Sequence, residues 1–114
     1  MTPKIIEDLI IKFRDWSCMV QVGKYPKGGH TFLHLLDSED GSPICTASVN
    51  VPEVNLDKGQ IIIKDYSENE GVYQSLVDAG VISETWMPWP LGWVEGKITD
   101  IVHSDILECL KSQE

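Results

Sequence analysis

Apolar residues recur along the chain at two spacings, and the change from one to the other divides it into elements. Trp16, Cys18, Val20 and Val22 alternate with Ser17, Met19 and Gln21, the period of a strand with one apolar face. Pro26, Gly28 and Gly29 then break the run. Residues 31 to 36 and 44 to 51 read as two further strands. They are joined by a segment in which Asp40-Gly41 supplies the turn signal. The first of them sets Phe32, His34 and Leu36 on one face and Leu33 and Leu35 on the other, and Cys45, Ala47 and Val49 oppose Thr46 and Ser48 in the second. Pro52 ends that strand, the acidic loop around Glu53 and Asp57 turns at Gly59, and Ile61-Ile62-Ile63 begins another.

The longer spacing marks three places. Ile5, Ile6, Leu9, Ile10 and Phe13 follow Thr2-Pro3, a cap and a favourable first helical position, so a short N-terminal helix is expected. Their isoleucine content leaves a strand running into residue 16 open. Ser67 and Glu70 have the spacing of a capping box, with a helix starting near residue 68. Its stripe is Val72, Leu76, Val77 and Ala79, and Gly80 ends it. Gly71 in the first turn costs about 1 kcal/mol against alanine, and a loop at that point is the simpler rival. Asp100 is placed to cap a C-terminal helix with Val102, Ile106 and Leu110 as its stripe, widened by Ile101 and Leu107.

Between the helices lies Trp86-Met87-Pro88-Trp89-Pro90-Leu91-Gly92-Trp93, where the prolines disfavour a regular central strand before residue 91. A short edge strand over residues 91 to 95 is the expectation. The pattern predicts an α+β fold, a small mainly antiparallel sheet with a central helix after the third or fourth strand and a C-terminal helix. With 114 residues and no repeat or linker, residues 1–114 read as one compact domain.

Charge narrows the function classes. Nine Lys and Arg against 18 Asp and Glu give a net charge of −9, and the single arginine, Arg14, is a poor basis for phosphate contacts, so direct nucleic-acid binding is not expected. Residues 1 to 36 carry +2 and residues 37 to 114 carry −11. Such a field favours encounter with a basic partner, although solubility alone accounts for much of it. The chain shows neither a signal-peptide core nor an apolar run long enough to span a bilayer, and a cytoplasmic protein without a membrane role is expected.

Cys18, Cys45 and Cys109 are odd in number and widely separated, which suits reduced core thiols better than a disulfide framework. No short phosphate-binding, zinc-protease, serine-hydrolase or calcium motif is present, and no catalytic residue or cofactor is assigned. The open alternative is a metal or acid-base site that His30, His34 or His103 would assemble with cysteines or carboxylates from distant segments. The interaction candidates are the carboxylates Asp37, Glu39 and Asp40, those of Asp65, Glu68 and Glu70, and the indoles of Trp86, Trp89 and Trp93. For the indoles, closing the open side of a small sheet is the expectation and an exposed anchor is the rival.

The runs Leu35-Leu36-Asp37-Ser38-Glu39-Asp40-Gly41, Ala47-Ser48-Val49-Asn50-Val51-Pro52 and Ile63-Lys64-Asp65-Tyr66-Ser67-Glu68-Asn69-Glu70-Gly71 resemble a family of small bacterial and mobile-element proteins, domain of unknown function 4313. The likeness continues through Leu76-Val77-Asp78-Ala79-Gly80-Val81-Ile82 and Gly92-Trp93-Val94-Glu95, so it covers residues 22 to 96. It implies an α+β domain of bacteria, phages or plasmids and brings no catalytic residues with it. The tryptophan- and proline-rich approach to Gly92 and the acidic C-terminal helix depart from the family pattern.

A noncatalytic interaction or accessory protein acting on a basic host protein is therefore the leading expectation. Its sharper form is competition with DNA for a nucleic-acid-binding surface, as a host-defence inhibitor would use. A small metal-binding or enzymatic protein and a homodimeric or larger scaffold are the alternatives.

Overall fold

The first helical pattern is a strand in disguise. In a computed structural model of the chain, which describes residues 3–112, β1 runs Lys4–Phe13 and pairs antiparallel with β2, Trp16–Lys24. Ile5 faces Gln21 and Ile10 faces Met19, so five steps on β1 are matched by two on β2. The three extra residues form a bulge that holds Asp8 at φ 62°. The bulge turns a two-residue alternation into the spacing Ile6, Leu9, Ile11, Phe13, all of them buried. Thr2, the expected cap, lies outside the described residues.

Strand β3, Thr31–Asp37, pairs with β2, and β4, Pro43–Thr46, pairs with β3, giving one antiparallel sheet in the order β1-β2-β3-β4. The expected 44 to 51 strand thus stops at Thr46. The chain leaves the sheet there because residues 47 to 49 serve two masters: Ala47 N donates to Leu33 O, while Val49 N donates to Ile62 O and Lys64 N donates to Ala47 O. Ser48 is bridged to Ile63. Through this seam the first sheet meets a second antiparallel one of β5, Gln60–Ile63, β6, Met87–Leu91, and β7, Val94–Asp100, in the order β5-β7-β6.

Helix α1, Val72–Asp78, follows β5, and α2, Ser104–Lys111, follows β7. The α+β architecture with antiparallel sheets and a C-terminal helix agrees with the sequence pattern. The strand at residues 4 to 13 adds one element ahead of the helix. The main core joins Ile11, Phe13, Val20, Leu33 and Leu35 of the first sheet to Ile61 and Ile63 of the second, Leu76 of α1 and Ile106 of α2. Each such side chain contributes roughly 1.5–3 kcal/mol by leaving water. A smaller core, Val54, Ile62 and Ile98 with Val49, Val51 and Leu56 against it, covers the second sheet's other face from within the chain.

Both helix starts differ from expectation. Ser67 makes no capping bond; it opens a short 3₁₀ turn, Ser67–Asn69, at φ 55°. Helix α1 begins after Gly71, whose φ of 96° is the left-handed conformation that glycine alone adopts easily. Asp100 ends β7 and caps nothing; His103 precedes α2. Alternation, with Gly96 and Ile98 facing the smaller core, carries the strand through Asp100 and delays the helix. Of the expected stripe on α2, Ile106 is fully buried, whereas Val102 is 52% exposed.

Candidate functional site

The Trp-Pro segment forms one arm of a hairpin rather than a loop before a strand. Leu91 faces Val94 across Gly92-Trp93. Gly92 has φ 82° and Trp93 is not among the positive-φ residues, so the turn has the glycine-first form that matches strand twist. The expected strand over residues 91 to 95 is therefore divided by this turn. Strand β6 lies at a sheet edge, which is where its prolines are tolerated. In a two-residue hairpin the flanking pair is hydrogen-bonded, so the backbones of Leu91, Trp89 and Met87 face β7 and the nitrogens of Pro88 and Pro90 face outward. The outward edge has no N–H donor at either proline position, which blocks another strand from pairing there.

The three indoles do not close the sheet. Trp86 is 43% exposed, Trp89 is 37% exposed and Trp93 is fully exposed, with Met87 at 61% beside them. Gly96, opposite Trp89, leaves no room for a side chain: a Cβ would stand 2.6 Å from Ile62 Cγ2 and 3.2 Å from Leu91 Cδ1. Trp89 lies on that face, Trp86 stacks on Lys97 of the opposite face, with Nζ 4.6 Å from the ring, and Trp93 occupies the tip. The indoles thus surround the hairpin. Glu84 lies beside Trp86, and exposed Glu95 stands on β7 near the turn.

The six candidate carboxylates have different duties. Asp37 Oδ1 accepts from Glu39 N at 2.9 Å, and Asp40 Oδ1 accepts from Ser42 N at 2.9 Å and Ser42 Oγ at 2.7 Å. These are turn-forming bonds at the surface, and those from Ser42 hold the Asp40 carboxyl below its usual range. Glu68 pairs with Lys64, whose ammonium lowers the Glu68 pKa. Glu70 offers its backbone oxygen to Arg14 Nη2 at 3.2 Å. The second acidic segment is fixed to the first sheet by Asn69 Nδ2, which donates to Thr46 O at 2.6 Å. The two acidic segments therefore sit at opposite ends of β4, about 10 Å apart along the strand.

Asp65 is a structural residue. Its Oδ1 accepts from Gly71 N at 3.0 Å and Tyr73 N at 3.1 Å, and its Oδ2 pairs with Lys97 Nζ at 2.7 Å. Only 14% of its side chain is exposed. It takes the capping duty that the Ser67-Glu70 spacing suggested, two residues earlier in the chain. Beneath it, Tyr73 Oη lies 2.7 Å from Ser83 O and 3.0 Å from Thr99 Oγ1. The structure thus joins Asp65 to Trp86 through Lys97.

The histidines and cysteines are dispersed among different environments. His34 stacks on Phe32 with centroids 4.5 Å apart, and burial lowers its pKa. Among the described residues, no three His, Cys, Asp or Glu side chains form a group that could hold a metal, and no helix is long and apolar enough to cross a membrane. Burial, followed by the charge of Cys18, pushes the Cys45 thiol up to about 11. Burial raises Cys18, Tyr25 and Tyr73 as well.

A folded pKa above the unfolded one gives stability that is complete below about pH 9 and is lost as pH climbs toward 11. Thermal midpoints are therefore expected to be level through pH 8.5 and to fall above pH 9. In the folded protein at about pH 7.5, Cys45 should be alkylated far more slowly than in urea. Equal rates would contradict the burial assigned to it.

No family model, curated protein or solved structure matches the chain.

Proposed function

We propose that this protein is a noncatalytic interaction module, and that its β6–β7 hairpin is a finger inserted into a basic, arginine-bearing cleft of a partner protein. The observation that carries this reading is Trp93, fully exposed at the end of a tight turn and flanked by two partly exposed indoles. Indoles give large contact area at small entropic cost and stack on guanidinium groups. Glu84 lies beside Trp86 and Glu95 stands near the turn, while Lys97 is already paired with Asp65. Those carboxylates complement arginine around the stacked rings. The prolines of β6 favour recognition by side chains over strand addition.

The test compares the whole chain with Trp89→Ser/Trp93→Ser, first in parallel capture from source cells and then with the purified partner. Loss of roughly thirtyfold in affinity, about 2 kcal/mol, is expected for the double variant, with weakening as salt rises. A partner that binds both proteins equally, or one unaffected by salt, would overturn the arginine-cleft reading.

A further inference from the structure

We infer that a groove at the far end of β7 from Trp93 binds a compact amphipathic anion, an aromatic or short aliphatic phosphate or carboxylate. The register sets the distance between the two places: Val94 adjoins the hairpin turn, whereas Asp100 faces Gln60, which lines the groove. The groove encloses about 550 Å³ between the turn after β2, the loop before β5 and the end of α2. That volume suits a small molecule.

Its charge runs against that of the whole protein. The chain carries −9, yet among the described residues Lys24 and Lys111 bring two ammonium groups to a groove whose lining carboxylate is Asp57. Lys24 ends β2 and Lys111 ends α2, so two separate elements bring positive charge to one space. Val54 and Leu110 supply apolar lining, and Leu107, 37% exposed, offers its side chain to a ligand's apolar body. His30 also lines the groove. Its Nδ1 is buried without a hydrogen-bond partner among the described residues, a polar capacity that the fold leaves unused.

The two chemistries define the ligand together. The ammonium groups select an anion, and the leucines and valine reject one that lacks an apolar body. A nucleic acid fits poorly, because every phosphate beyond the groove meets the acidic remainder of the surface.

The test is a titration of the isotope-labelled full chain with 1-naphthyl phosphate, followed by amide NMR shifts. Inorganic phosphate and 1-naphthol serve as half-ligands, and 1-naphthoate distinguishes carboxylate from phosphate recognition. Saturable shifts confined to residues 24–31, 54–60 and 107–111 are expected, with affinity at least about tenfold above either half-ligand. Lys24→Gln/Lys111→Gln should weaken binding by about fivefold or more, and Leu107→Glu should abolish it. Trp93→Ser should leave it unchanged, so failure here is distinct from failure of the hairpin reading. Absence of saturation by about 5 mM, equal binding of 1-naphthol, shifts centred on the hairpin, or an unaltered double-lysine variant would each overturn the inference.

Discussion

Asp65→Ala is expected to lower stability by about 2–4 kcal/mol, near the upper end of what one surface-segment substitution does. The carboxylate has two tasks, and alanine fails at both. It caps α1 through Gly71 N and Tyr73 N, and loss of such a cap costs about 0.5–2 kcal/mol. It also neutralises Lys97, whose side chain is only 24% exposed and is enclosed by the rings of Tyr73 and Trp86, so removal leaves a charge largely out of water. Asp65→Asn separates the tasks, because an amide oxygen still accepts the two backbone N–H bonds while the charge is gone. Denaturant titration should place the asparagine variant between wild type and alanine. An asparagine variant as unstable as alanine would assign the whole effect to the ion pair, and an alanine variant within 0.5 kcal/mol of wild type would remove Asp65 from the fold's essential contacts.

The second large effect is expected at Gly23, where the ring of Phe32 occupies the place of a side chain. The two residues are direct neighbours across β2 and β3, and a Cβ on Gly23 would stand 2.2 Å from Phe32 Cζ. The ring has little freedom to move aside, since Tyr25 meets it edge-on at 5.6 Å and His34 lies 4.5 Å away. Gly23→Ala should cost about 1–3 kcal/mol through overpacking. In a Phe32→Ala background the same change should be neutral or stabilising by about 0.5–1 kcal/mol, because alanine loses less entropy than glycine in a strand. The two changes are thus strongly non-additive in a double-mutant cycle. Simple additivity would contradict the contact.

Alternation was legible wherever the backbone is regular: β2 and β3 stand where the pattern of Trp16 to Val22 and of residues 31 to 36 puts them. Periodicity failed where the backbone changes phase. The bulge in β1 converts a strand into an imitation of a helix, and nothing in Asp8 announces that it will take a positive φ. A capping box is a local spacing, whereas the cap on α1 comes from Asp65 across a 3₁₀ turn, held there by a lysine 32 residues further on. The candidate site is legible in composition, since Trp86, Trp89 and Trp93 fall within eight residues. Their exposure was not legible, because tryptophan closes cores as readily as it anchors partners. The proline pair was the usable signal, marking an edge. The groove lysines, 24 and 111, are too far apart in sequence for any motif to join them.

The seam at residues 47 to 49 has a further consequence. A cut in the loop that follows it, between residues 50 and 59, would leave every strand and helix whole. It would leave the N-terminal fragment with the donors and acceptors of Ala47 and Val49 stripped of β5, and the C-terminal fragment with β5 as a bare edge. Each piece would carry half of a broken hydrogen-bond ladder and a ready template for pairing with copies of itself. The chain is therefore expected to melt as a unit, and a nick in that loop to lead to aggregation rather than to two smaller folded proteins.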